Sequence, residues 1–121
     1  MPLPASEDRR ALGADKERLA RAFLEGQGLR WLANNYRCRR GEIDLVMRDA
    51  GTLVFVEVRY RASARFGGAA ASVITAKQRR LIAAAGHFLQ GSTLNLPCRF
   101  DVIAIGAGDH IDWIRDAFHA Q

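Results

Sequence analysis

A chain of 121 residues, 49% of them hydrophobic, has the size of one domain and can bury a core without disulfide or metal staples. No apolar run approaches the roughly 18–20 residues of a membrane span and no signal-peptide pattern opens the chain; Cys38 and Cys98 form neither a disulfide framework nor a metal box, so a cytoplasmic protein without membrane partners is expected. A formal net charge of +5 favours a polyanionic partner, nucleic acid first, although an arginine excess in an alanine-rich chain also follows from codon composition.

Residues 1–10, rich in proline and charge, are expected to be a mobile tail, leaving 11–121 as a single domain. Leu12, Leu19, Ala20, Phe23 and Leu24 recur at helical spacing and predict a helix over Gly13–Gly26, stopped by Gly26 and Gly28. Glu17 falls on the edge of its buried face. It reads either as a first-turn acid favoured by the helix dipole or as a carboxylate aimed at whatever the helix packs on. Leu29–Tyr36 is an extended segment and the expected first strand. Arg37, Arg39 and Arg40 follow, which suits phosphate binding and equally a solvated loop.

The stretch Gly41–Arg61, GEIDLVMRDAGTLVFVEVRYR, organises the rest. Two alternating runs flank the turn signal Asp49-Ala50-Gly51 and predict a hairpin. With Ala50-Gly51 as a two-residue loop, Val54, Val56 and Val58 oppose Met47, Leu45 and Ile43 on one apolar face. The other face then sets Asp44 opposite Glu57 and Glu42 opposite Arg59; a three-residue loop would shift this register. Like charges directly opposed across a strand pair are destabilising, and Val46 and Phe55 keep water from relieving them. Such a pair needs a proton, an arginine or a divalent cation, and a hard cation with oxygen ligands is the sharpest reading.

Ala62–Ser72, small, Gly-rich and carrying Arg65, reads as a flexible loop beside this hairpin. A second helix is predicted from Thr75, as N-cap, to Gln90, with the stripe Ile74, Leu81, Ile82, Ala85, Phe88 and Leu89. Lys77 and Gln78 occupy its first turn. Arg99–Ile105 predicts a strand in which Asp101 caps or pairs with Arg99, and Ile111–Ile114 a short last strand. His87, His110 and His119 sit singly, and Trp31 and Trp113 read as core or edge residues. A crossover from Val58 to Phe100 makes that strand pair parallel. The expected architecture is α/β, a layered fold with a mixed sheet and helices packed against it.

Glu17 on a helix, Asp44 and Glu57 on adjacent strands, a cation two residues after Glu57, and Lys77 or Gln78 on the next helix are the parts of divalent-metal phosphodiester hydrolysis. Their spacing resembles the restriction-endonuclease-like nucleases, whose signature is an Asp followed by Asp/Glu-x-Lys on the next strand. The archaeal Holliday-junction resolvases are similar and add a glutamate on the first helix. GEIDLV, LVFVEVRYR, the Lys77-Gln78 helix, CRFDVIAI and IDWIRDAF look like the YraN family, a bacterial group regarded as predicted nucleases. The resemblance spans about Leu12 to Phe118.

That resemblance implies a restriction-endonuclease-like fold and a Mg²⁺- or Mn²⁺-dependent endonuclease acting on DNA, branched DNA included. It further implies Glu17, Asp44 and Glu57 as metal ligands, Glu42 and Gln78 as recurring positions without a role, and a homodimer. Arg37, Arg39, Arg40, Arg61 and Arg65 are the arginines expected on nucleic acid. Arg59 departs from the pattern, which wants lysine: arginine neutralises phosphate charge but cannot shed a proton to activate water. Lys77 on the following helix reads either as the amine that replaces it or, as is commoner for a helix-start lysine, as a solvent-facing residue. The alternative is a nucleic-acid-binding module that keeps the fold without hydrolysis. A third reading is an interaction protein whose acidic hairpin is structural.

Overall fold

The computed structural model describes residues 7–61 and 74–119. Helix α1 spans Glu7–Gly26, starting six residues before the periodicity places it. The added stretch opens with two acids, favoured at a helix N-terminus, and continues with arginine, alanine and leucine, good helix formers; Leu12, counted in the expected stripe, is 45% exposed. The expected tail thus overlaps α1 at residues 7–10, and residues 1–6 lie outside the described residues. At the other end Gly28 takes a left-handed φ of 95°, available cheaply to glycine. The Leu29 N–H returns to the Leu24 carbonyl at 3.0 Å.

Strands β1 (Arg30–Cys38), β2 (Gly41–Asp49) and β3 (Thr52–Tyr60) form an antiparallel meander. Helix α2 (Thr75–Gln90) crosses to β4 (Cys98–Ile105), which runs parallel to β3. A 3₁₀ turn, Ala107–Asp109, leads into β5 (Ile111–Phe118), antiparallel to β4. The sheet order is β1-β2-β3-β4-β5. The hairpin register follows the sequence reading from Asp49 against Thr52 back to Leu45 against Val56, and the expected oppositions of Asp44 to Glu57 and of Ile43 to Val58 fall beyond the end of this ladder. The last strand reaches Phe118, past the Ile114 expected. A register shift between Phe100 and Val102 and a left-handed Asp116, φ 53°, break the alternation that would have announced it.

The two helices cover opposite faces of the sheet. Leu81, Ala84 and Ala85 of α2 pack with Val46, Leu53, Phe55, Phe100 and Val102. Ala20 and Leu24 of α1 pack with Leu45, Met47, Val54, Val56 and Ile103. Each such large side chain, fully withdrawn from water, contributes about 1.5–3 kcal/mol. Two details differ from the sequence expectation. Thr75 is the first helical residue and Ile74 sits at the cap without a side-chain bond; Ile74, 64% exposed, is therefore no part of the buried stripe. Ile43 belongs to the α2-side core while Leu45 and Met47 belong to the α1 side. The pleat alternation therefore fails across Asp44, and the wholly apolar face expected of the hairpin ends at Leu45.

Candidate active site

The site sits where β2 and β3 part. Ladder pairing between them ends at Leu45 and Val56, and a side chain replaces the backbone beyond it. Oδ2 of Asp44 accepts the Val58 N–H at 2.8 Å. The break in pleat at the same residue lets Asp44 reach this bond and still stand beside Glu57. On β1, Asn34 and Tyr36 pair with Leu45 and Ile43, and Asn35 between them takes a left-handed φ of 53°. Its side chain hydrogen-bonds Glu17 of α1.

Glu57 continues the α2-facing series Leu53 and Phe55 and is only 3% exposed. Its Oε1 lies 3.7 Å from Arg59 Nη1 and 3.7 Å from Lys77 Nζ. Its Oε2 is buried and has no hydrogen-bond partner among the described residues. A buried carboxylate oxygen without a partner is costly. Burial, and after it Asp44, pushes the Glu57 pKa up to about 8, against the pull of Lys77 and Arg59. Asp44 is raised too, again by burial first, with the Val58 N–H opposing. Glu17 is raised by burial and by Asp44, with the Asn35 bond opposing.

Asp44 is therefore the shared neighbour of two other carboxyls. No three His, Cys, Asp or Glu side chains converge on one point among the described residues. The ligand pair with the right chemistry is Asp44 and Glu57: two oxygen donors, one of them orphaned, held against their charge. Magnesium is commonly held by one or two carboxylates with the rest of its shell from water and substrate phosphate, so this donor set fits it.

Around the pair lies positive charge. Arg37, Arg39, Arg40, Lys77 and Arg80 line a cleft of about 280 Å³ with Gly41 on its floor. Glu42, also on its wall, is 3.3 Å from Arg37. This corrects the expected Glu42–Arg59 opposition. Because β2 leaves β3 at Leu45, Glu42 is registered with Arg37 on β1, while Arg59 is registered with Ala104 on β4 and reaches Glu57. Gly41 is fixed by a close approach: a Cβ there would stand 2.3 Å from the Arg80 carbonyl oxygen. The β1–β2 turn carrying Arg39 and Arg40 is thereby pressed against the backbone of α2.

The remaining expected residues are dispersed. Gln78 lines a different hollow, of about 260 Å³, with Thr75, Arg79, Ile82 and His119. Arg61 is exposed at the end of β3, its N–H bonded to the Ile105 carbonyl. Arg65 and the expected loop Ala62–Ser72 lie outside the described residues. Asp101 is structural, as read: fully buried, it accepts hydrogen bonds from Arg99, from Trp113 Nε1 at 2.9 Å and from the Asp116 N–H at 2.9 Å. Trp113 packs edge-on against Phe23, and Trp31 lies on the edge strand with the Arg21 guanidinium over its ring at 4.0 Å. Sequence reading missed Asn35 and Arg80. An Asn-Asn pair inside a strand is a signal for the first, since asparagine tolerates the left-handed region. The spacing of three from Lys77 on one helix face is a signal for the second.

Residues 16–105 match the model of a family described as "Uncharacterised protein family UPF0102". A UPF0102 protein of Nitrosomonas europaea is 56% identical over 108 residues, covering 88% of this chain and 92% of its own. One of Ralstonia nicotianae is 59% identical over 125 residues, covering 99% and 95%. One of Methylobacillus flagellatus is 57% identical over 113 residues, covering 90% and 97%.

Proposed function

This chain belongs to the UPF0102 family, the YraN family its motifs resemble, and we propose that it is a divalent-metal-dependent endonuclease of DNA. The observation that carries the reading is Glu57: a carboxylate withdrawn from water beside Asp44, one oxygen without a partner, the other facing two cations. A fold that only needed a hairpin gains nothing from that arrangement, because an apolar pair there is cheaper. Asp44 and Glu57 would hold a Mg²⁺ or Mn²⁺ ion, which when bound draws charge from phosphate oxygens and acidifies water.

The chain's own groups supply the rest. Arg59 and Lys77, both within 4 Å of Glu57, are placed to neutralise the charge that builds on a phosphate as water adds and an ester P–O bond breaks. Glu17, tied by Asn35, adds negative potential at Asp44 and so favours a cation there. A restriction-endonuclease-like assignment of this layered sheet belongs to the same reading, as do branched DNA and a homodimer, both drawn from the resolvase resemblance.

A second reading, a binding module without hydrolysis, draws on Arg59, which cannot give up its proton. Cleavage of labelled single-stranded, duplex and four-way-junction DNA with Mg²⁺ or Mn²⁺ separates the two. The nuclease reading expects cutting by the wild type and equal or greater cutting by Arg59→Lys. Arg59→Ala should lower turnover far more than binding, because its interaction strengthens as transition-state charge develops. If the wild type and Arg59→Lys are both inert on every substrate, the binding module is the function.

A further inference from the structure

The arginine cleft holds more positive charge than one phosphodiester requires. Its lining cations are Arg37, Arg39, Arg40, Lys77 and Arg80, and the carboxylate on its wall, Glu42, is already engaged by Arg37. Lys77 belongs to both places: it lines the cleft, and its Nζ stands 3.7 Å from Glu57 Oε1. The cleft is therefore continuous with the carboxylate pair through one side chain. Its two walls are also fixed relative to each other, since the Gly41 backbone abuts the Arg80 carbonyl so closely that no Cβ fits between. Cations presented from two rigidly apposed elements form a path for an extended polyanion.

We propose that this cleft takes the phosphates flanking the scissile one, so that the substrate is a polynucleotide strand and not an isolated phosphodiester. Arg80 binds one of these phosphates directly. The inference rests on the nuclease reading for the word scissile, and on the cleft alone for phosphate binding. Consecutive internal phosphates are the ligand. A terminal phosphomonoester is the other source of the same chemistry.

The test measures binding in EDTA, so that it does not depend on hydrolysis. Fluorescence anisotropy of a labelled 20-nucleotide strand is followed across a series of salt concentrations for the wild type, Arg80→Ala, the double variant Arg39→Ala/Arg40→Ala and Arg30→Ala. Arg80 and Arg30 are both exposed, and Arg30 lies at the opposite end of β1. Removing one cation that neutralises a phosphate should lower the slope of log affinity against log salt by about 0.7 on a single strand. Arg80→Ala should lose one such step with affinity reduced severalfold, and the double variant more. Arg30→Ala should keep the wild-type slope. A 5′-phosphorylated strand and a 5′-hydroxyl strand should bind equally. A wild-type slope for Arg80→Ala, or an equal drop for Arg30→Ala, would overturn the cleft. A strong preference for the phosphorylated end, erased by Arg80→Ala, would make it an end pocket and overturn the strand path. The expected slopes in EDTA, together with no cleavage by the wild type or Arg59→Lys in the Mg²⁺ and Mn²⁺ assay above, would condemn only the nuclease reading.

Discussion

Changing Glu57 to glutamine removes one ionisation while keeping nearly the same volume, which makes it the cleanest probe of the carboxylate pair. Folding moves the Glu57 pKa from 4.5 to about 8. At about 1.4 kcal/mol per pKa unit, ionised Glu57 costs the metal-free fold about 5 kcal/mol more than it costs the unfolded chain. An acid whose pKa is raised by folding contributes its stability in full below its unfolded pKa, and loses it as pH rises through the folded value. The metal-free wild type should therefore lose stability between about pH 5 and pH 9. Asp44 and Glu17 are shifted in the same direction, so part of that slope survives in the variant. Glu57→Gln should flatten the curve, be no more stable than wild type at pH 5, and exceed it by roughly 2 kcal/mol or more at pH 9, the buried amide returning some of the gain. Urea denaturation in EDTA at four or five pH values reads this directly. Parallel curves for the two proteins, or a wild type that gains stability toward pH 9, would refute the reasoning.

Asp44 has a structural bond as well as a charge, so two substitutions should diverge. Asp44→Asn keeps an acceptor for the Val58 N–H and should leave metal-free stability unchanged or improved, whereas Asp44→Ala orphans that donor at about 1–3 kcal/mol; equal losses in urea would assign Asp44 to structure alone. Gly41→Ala drives a methyl into the Arg80 carbonyl and should cost about 1–3 kcal/mol, read as a lower unfolding midpoint; a variant as stable as wild type would mean that the hairpin and α2 do not abut. Asp101→Ala breaks a buried network at the other side of β4 and should cost roughly 3–5 kcal/mol while leaving Mn²⁺ affinity intact, and a loss of metal binding in the folded variant would tie Asp101 to the site.

The hairpin and its partner strands were legible because their signals are local. Alternation over 43–47 and 53–58, with Ala50-Gly51 between, sets the register from Asp49 against Thr52 to Leu45 against Val56, and the length of the crossover makes β3 and β4 parallel. What alternation cannot announce is where it stops. Asp44 replaces a backbone partner, so β2 departs from β3, Ile43 changes face and Glu42 is delivered to Arg37 instead of Arg59. The same limit hid the tail of β5, where Asp116 bends out of register. The carboxylates of the site were readable as residue types at known spacing. The cleft was not, because Arg80 reaches it only through the close approach of Gly41 to α2, and that approach exists only in three dimensions. The first six residues of α1 escaped for a different reason: EDRRAL carries no helical repeat of apolar residues to read.

The central claim is that Asp44 and Glu57 are held together for a divalent cation, and calorimetric titration of Mn²⁺ at pH 7 in two buffers of different ionisation heat tests it most directly. With a pKa near 8, Glu57 carries a proton at pH 7 that a cation must displace. The wild type should bind one Mn²⁺ and release about one proton, and Glu57→Gln should bind far more weakly without that release. A wild type that takes up no Mn²⁺, or that binds it with the same affinity and the same proton count after Glu57→Gln, would contradict the account.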